Sequence, residues 1–152
     1  MAARIGEIPE FAGKVLNFDA GNIESEFEKK MLKAGGGRCA IIRFLGARNI
    51  RDRNHKSSYE ASFSVSLVES PLLVANEPKS RTKLAGEIEA KLNGWWPDGI
   101  PFQSAGKLLV TSISPSLGSD DAGNAYAGVV LTVATPPLCF LYPRPTDPPE
   151  EP

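Results

Sequence analysis

Residues 58–69 read SYEASFSVSLVE, and this stretch decides the fold. Apolar side chains occupy alternate positions from Tyr59 to Leu67, and four of the five positions that alternate with them, from 58 to 66, are serines. A period of two is typical of a β-strand with one face on the core and the other toward water or a partner. The stretch therefore predicts a half-buried strand whose serine-lined face is left open.

Helical periodicity precedes this strand. Ile23, Phe27 and Met31 recur every four residues between Asp19 and Ala34. Acidic residues crowd the first half and lysines the last turns, which matches the helix dipole. The glycines at 35–37 then predict the end of the helix, because glycine adopts the left-handed C-cap conformation without steric cost.

A second amphipathic helix follows the strand. Pro78 suits its first turn, where a missing N–H costs nothing, and Asn93-Gly94 closes it. Its buried stripe is expected to consist of Leu84, Ala85, Ile88 and Leu92.

Other apolar runs predict further strands and a two-layer fold. These strands are a short one near 14–18, then Arg38–Gly46, Lys107–Ser114 and Ala125–Thr135, with polar loops at 47–57 and 115–124. Two amphipathic helices and a sheet with one strongly apolar face predict an α+β two-layer sandwich, in which both helices pack on one face of an about four-stranded, mainly antiparallel sheet. We expect a single domain over 1–135 and a flexible, proline-rich acidic tail over 136–152.

Charge and composition exclude several classes of protein. Lys and Arg total 17 against 18 Asp and Glu, which argues against a DNA-coating protein but leaves a local basic patch possible. No apolar run approaches the roughly 18–20 residues that span a bilayer, and the N-terminus lacks a secretory pattern. We therefore expect an intracellular chain with no membrane partner. In that compartment Cys39 and Cys139 are expected to be separate buried thiols rather than a disulfide.

Residues that carry catalytic or metal chemistry have simpler interpretations here. The glycines at 35–37 follow a helix, whereas a phosphate loop precedes one. The Asp120-Asp121 pair fits a turn. His55, beside Ser57 and Ser58, lies in a polar loop that is poorly suited to preorganised catalysis. The sequence predicts no enzyme, no cofactor and no metal.

A basic segment from 43 to 56 has two interpretations of equal weight. It contains one acid, Asp52, among the basic residues Arg43, Arg48, Arg51, Arg53 and Lys56, with His55 beside them. It could contact nucleic acid phosphates or an acidic surface of a neighbouring subunit, or it could be a solvated hairpin tip. The predicted hairpin loop at 47–57 is longer than the usual 2–5 residues, which favours a role.

The adjacent pair Trp95 and Trp96 is a candidate interface. Neighbouring side chains cannot both point the same way, so one is expected to pack on the sheet, as tryptophans usually do. The other is a candidate for a subunit contact, where tryptophan is enriched.

The ordered pieces resemble a known family. They are an early helix, a strand CAIIRFLG (39–46), a polar hairpin, the strand YEASFSVSLVE (59–69), the helix segment AGEIEAKLNGWWP (85–97) and the final strand AYAGVVLTVAT (125–135). This arrangement over residues 19–135 is similar to the tail terminator, or tail-completion, proteins of tailed bacteriophages, including lambda-type and Mu-like prophage relatives.

The resemblance implies a structural virion protein that assembles as a homo-oligomer. Such proteins form a hexameric ring that caps the tail tube, stops its polymerisation and offers the docking surface for a head connector or neck protein. Contractile-tail relatives also meet the sheath protein, and DNA passes through the ring without specific binding. The protein would act in the host cytoplasm during assembly and then in the virion. The polar loop at 47–57 would reach a neighbouring subunit or the channel of the ring. The alternative is a small nucleic-acid-binding module that uses the basic 43–56 segment.

Overall fold

The described residues of the 152-residue chain form one mixed sheet with helices packed against it. The structure is a computed structural model, and it describes residues 1–18, 27, 37–51, 57–70, 79–96, 107–119 and 125–139. The helical elements are α1 (Ala2–Ile5), a 3-10 turn (Pro9–Phe11) and α2 (Arg81–Leu92). The strands are β1 (Val15–Asn17), β2 (Arg38–Arg51), β3 (Ser57–Glu69), β4 (Leu109–Ser119), β5 (Ala125–Ala134) and β6 (Leu138–Cys139).

The sheet runs in the order β1-β2-β3-β5-β4, and the two-residue β6 also pairs with β3. β1 is parallel to β2, whereas the other pairings are antiparallel. The α+β class is thus correct, but the expected sheet of about four strands is wrong: the path holds five strands and is mixed. The parallel pair is possible because residues 18–37 provide the long connection that parallel neighbours require.

The main core lies on one face of this sheet. Val65 and Leu67 of β3 are buried there and Phe63 packs against the same core, so the strand predicted from residues 58–69 is confirmed, with its apolar positions on the core side. The core also contains residues of β2, β5, α2, the N-terminal segment and the residue just before β4, namely Ile5, Ile8, Phe11, Ala40, Ile42, Leu84, Ala85, Ile88, Leu92, Leu108, Leu131 and Val133.

The helix α2 begins and ends at sequence signals. The Ser80 hydroxyl accepts a hydrogen bond from the backbone N–H of Lys83, an N-cap contact of 3.3 Å. At the other end Asn93 is the C-cap, and Gly94 takes a positive φ of 76°. The predicted stripe of α2 is buried, whereas Pro78 lies outside the described residues.

The opposite face of the sheet carries a smaller apolar cluster. Leu16 and Cys39 are buried there, and the Phe27 ring meets the Tyr126 ring edge-on, with centroids 5.7 Å apart. Phe27 is the one described residue of the predicted helix at 19–34. Phe27 contacts the face of the sheet opposite α2, and the rest of the predicted helix lies outside the described residues.

Two strands extend further than predicted. β2 continues past Gly46 to Arg51 and pairs with β3 down to Ser57, so the residues at 47–51 belong to the sheet rather than to a loop. β4 continues through Pro115 to Ser119, where a loop was expected. Proline is tolerated in β4 because an edge strand can turn its missing N–H away from its neighbour.

Candidate functional site

The outer edge of β4 is long and uncharged. β4 pairs with β5 on one side, and on the other side no described strand covers it. Its eleven residues, LVTSISPSLGS, include no charged side chain. Natural proteins usually protect such an edge with charges or proline, and β4 has only Pro115. Apart from Pro115, β4 therefore lacks the residues that usually protect an exposed edge strand.

The side chains of β4 are sorted by face. Ile113 pairs with Leu131 of the core and Leu117 pairs with Ala127, so both lie on the α2 side of the sheet. They nevertheless remain 44% and 86% exposed. Ser114 and Ser116 lie on the other face. The edge thus presents an apolar side and a serine side.

A second open edge belongs to the β2–β3 hairpin. β1 pairs with β2 only as far as Ile42, so no described strand pairs with the outer side of β2 from Arg43 to Arg51. β5 pairs with β3 only up to Ser62, and beyond it β3 carries just the two residues of β6. We call residues 46–51 of β2 together with 57–62 of β3 the arm.

A β-bulge marks the root of the arm. The register shifts between Phe44 and Gly46, which leaves Leu45 as the additional residue. Gly46 has a φ of 145°, a conformation that favours glycine. The rings of Phe44 and Phe63 pack at 5.5 Å between centroids, and Phe44 and Leu45 are both exposed. Since bulges bend a strand and increase its twist, this one redirects the arm relative to the body of the sheet.

The basic residues of the arm are only partly brought together. The Arg48 Nη2 atom lies 2.8 Å from Glu60 Oε2, and the Arg43 guanidinium lies 4.8 Å above the Phe18 ring. Arg51 pairs through its backbone with Ser57. The Arg51 side chain and the residues Arg53, His55 and Lys56 lie outside the described part. The Glu60 carboxylate therefore balances the positive charge of Arg48, a pairing that the sequence did not predict.

Both tryptophans contact the main core. Trp95 and Trp96 are half-buried and pack against the core cluster, rather than one packing and the other standing free. The Leu108 N–H donates to the Trp95 carbonyl at 2.9 Å, which fixes Trp95 beside the start of β4. Their role at a subunit contact stays a prediction.

A cluster of ion pairs joins the end of the sheet to α2, and sequence reasoning missed it. Arg38 Nε lies 2.6 Å from Glu69 Oε1, and Arg81 Nε lies 3.2 Å from Glu69 Oε2. Lys79 Nζ lies 3.0 Å from carboxylate oxygens of both Glu10 and Glu87. Arg38 lies opposite Glu69 only because of the β2–β3 register. The spacing of the two residues along the chain therefore did not predict their ion pair.

Burial and hydrogen bonding act in opposite directions on Glu10. Burial is the largest single effect and raises the pKa of this carboxyl, but the hydrogen bond from the Lys79 ammonium, a backbone hydrogen bond and the charges of Lys79 and Arg38 together outweigh it, and the pKa lies below the ordinary value of 4.5. Glu10 is therefore ionised in the folded protein at neutral pH. The cluster is a structural contact between the N-terminal segment, the sheet and α2.

A small apolar cavity of about 220 Å³ lies on the face opposite α2. Its lining includes Phe27, Ile41, Val68, Tyr126 and Val130. Across the described ranges, no group of three or more His, Cys, Asp or Glu side chains is placed to hold a metal ion. No helix in those ranges is long and apolar enough to cross a membrane. No protein-family model matches the chain, and no curated protein matches it.

Proposed function

We propose that this chain is a structural virion protein of a tailed phage, a tail terminator that forms a ring on the end of the tail tube. The ring stops polymerisation of the tube and offers the joining surface for the head connector. The observation that carries the proposal is a pair of edges on opposite sides of one sheet, β4 and the outer side of β2 past Ile42, neither of which any described strand covers. A head-to-tail ring requires two different surfaces of this kind on every copy.

The composition of these edges supports association rather than exposure to solvent. Leu117 is 86% exposed on a strand without charges, and burial of apolar surface is the main favourable term in association. The order of elements over residues 19–135 resembles that of tail terminators. In the proposed fold, a helix at 19–34 packs with the sheet as the second helix of the α+β domain.

Growth of the tail tube provides a direct test. The chain is added to the tube protein encoded by the same genome, and tube ends and lengths are scored by negative-stain microscopy. We expect a ring on one end of each tube and shorter tubes as the chain concentration rises. A Leu117→Lys variant that cannot form the ring is expected to leave tube growth unchanged. If the unaltered chain neither caps the tubes nor limits their length, the proposal is wrong.

A nucleic-acid-binding module remains the second candidate. Arg48 is exposed on a ribbon of two strands, an element that fits the major groove of DNA. In that case binding falls steeply with salt and is lost when Arg48, Arg51 and Arg53 are changed to Ala. Binding that is unaffected by this triple substitution would exclude the candidate.

A further inference from the structure

The chain that follows β5 is attached to the arm. The Thr135 N–H donates to the Ala61 carbonyl at 2.8 Å, and the Ala61 N–H donates to the Thr135 hydroxyl at 2.9 Å. β6 then pairs with β3, so that Cys139 lies opposite Ser58. The residues that follow, 140–152, which we call the distal tail, therefore start beside the arm.

The distal tail is acidic and rich in proline. Its sequence, FLYPRPTDPPEEP, contains the three carboxylates of Asp147, Glu150 and Glu151 and one basic residue, Arg144. Such a composition favours an extended chain, with about 3.1 Å per residue, over a packed core. The segment thus brings an excess of negative charge to the arm.

The face of β2 and β3 that is opposite α2 presents two exposed arginines near this starting point. Arg43 pairs with Ser64 and Arg48 with Glu60, so the two arginines lie on the same face. Arg43 is exposed, and the Arg48 side chain is 75% exposed even in its ion pair with Glu60. Glu60 is the one acid in either strand of the arm. The surface formed by Arg43 and Arg48, which we call the basic face, therefore carries more positive than negative charge.

The acids of the distal tail can reach both arginines. By register, Arg48 lies two residues and two strands from Cys139, which is about 12 Å at roughly 3.3 Å per residue and about 4.8 Å between strands. Arg43 lies about 22 Å away on the same measure. Asp147 is eight residues beyond Cys139, a length of about 25 Å in an extended proline-rich chain. One tail is therefore long enough to span the basic face of its own copy.

From attachment, reach and opposite charge together, we infer that the distal tail lies on the basic face of its own copy, with its carboxylates on Arg43 and Arg48. Carboxylates and DNA phosphates bind the same N–H donors of arginine, so the tail and a nucleic acid compete for this face. The short tether holds the tail at an effective concentration in the millimolar range, which favours it over dilute DNA. The tail is therefore an autoinhibitory segment that limits nucleic-acid binding by the arm. This inference does not rest on the proposed ring.

Paramagnetic broadening in NMR spectra tests where the tail lies. A nitroxide is attached at Asn49→Cys, an exposed position next to Arg48, in a chain that also carries Cys39→Ala and Cys139→Ser. We expect the amide signals of residues 147–151 to be broadened at low salt. They are expected to sharpen again at high salt, because salt screens exposed charges.

Two controls accompany this measurement. A nitroxide at Thr82→Cys lies next to Arg81, which contacts Glu69 at the other end of β3, and is expected to leave the tail signals sharp. A mixture of isotope-labelled chain without nitroxide and unlabelled chain with nitroxide at Asn49→Cys is also expected to give sharp tail signals, because each tail covers its own copy. Broadening in this mixture places the tail on a second copy and overturns the inference.

The affinity for a fluorescent DNA duplex of random sequence tests the competition. The variant neutralises the three acids of the tail, by Asp147→Asn, Glu150→Gln and Glu151→Gln. We expect it to bind the duplex about tenfold more tightly than the unaltered chain, the size of effect that a few exposed ion pairs give. The matched control neutralises three acids that lie elsewhere in the sequence, by Glu89→Gln, Asp120→Asn and Asp121→Asn. It is expected to change the affinity less than about twofold at an ionic strength of about 0.1 M, where distant charges are screened.

The failures of this inference and of the proposed ring are distinguishable. Tail signals that stay sharp at every salt concentration overturn the inference. A tail variant that gains no affinity for DNA, or a control that gains as much, overturns it as well. None of these results bears on the ring, which is tested by growth of the tail tube.

Discussion

Arg38 and Glu69 form a buried ion pair, with Nε and Oε1 2.6 Å apart and each side chain 5% exposed. The two residues are directly opposite in the β2–β3 ladder. Arg38 Nη2 also donates to the Lys79 carbonyl at 2.6 Å, so the pair joins the sheet to the segment that leads into α2. Buried charges of this kind are stable only while both partners are present.

Replacement of Glu69 by Leu is expected to lower the free energy of unfolding by about 3–5 kcal/mol, because the Arg38 charge stays buried without its main partner. Urea denaturation followed by circular dichroism measures the change. A double variant, Arg38→Met with Glu69→Leu, serves as the control and is expected to recover part of the loss. If the free energy of unfolding of Glu69→Leu were within about 1 kcal/mol of that of the unaltered chain, the ion pair would not contribute to stability.

Stability is expected to fall as the pH drops below 4.5. Burial, the largest single effect, raises the pKa of Glu10, but the hydrogen bonds and charges of Lys79, the backbone and Arg38 together lower it more, so the folded value lies below the ordinary 4.5. A lowered folded pKa contributes stability above the unfolded pKa, and this contribution is lost as the pH falls through the folded pKa. Thermal melts between neutral and acidic pH measure the slope, and Glu10→Gln is expected to make it shallower. A variant with an unchanged acid slope would contradict this assignment.

Gly128→Ala is expected to destabilise the fold by about 1–3 kcal/mol, the usual range for overpacking. A Cβ at this position would lie 2.5 Å from the Leu67 carbonyl oxygen, and backbone atoms cannot move aside easily. Gly118→Ala is the matched control, since a Cβ there meets nothing within 4 Å. Equal stability of the two variants in urea titrations would show that β3 and β5 can separate without cost.

Loss of the α2 N-cap is expected to cost about 1 kcal/mol. Ser80→Ala removes the oxygen that accepts the Lys83 N–H, whereas Ser80→Asp retains an acceptor and favours the helix dipole. Differential scanning calorimetry should rank Ala below Ser, with Asp close to Ser. A reversed order of Ala and Asp would show that the cap is unimportant here.

Local patterns predicted those elements that depend on burial alone. The strand containing Val65 and Leu67 and the stripe of Leu84, Ile88 and Leu92 each reflect a single buried face, and all five side chains are buried. The short strand near 14–18 was also found, as β1 at Val15–Asn17. Such patterns are visible in the sequence because the hydrophobicity of each side chain follows its own burial.

Features that depend on pairing between distant segments were not predictable. The arm continues β2 through ARNIR at 47–51, which has no alternation and becomes a strand only because β3 lies beside it. Pro115 suggested a loop, yet an edge strand accommodates it. The Arg38–Glu69 pair and the Arg48–Glu60 pair both follow from the register of β2 and β3. The spacing of residues along the chain does not predict which residues of two strands lie opposite each other.

Native mass spectrometry of the purified chain over a range of concentrations tests the central claim most directly. The account predicts one closed assembly of six copies, in equilibrium with monomer and without a ladder of larger species, because a head-to-tail contact that closes leaves no open edge. A chain that remains monomeric at every concentration, or an open series of ever larger oligomers, would contradict it.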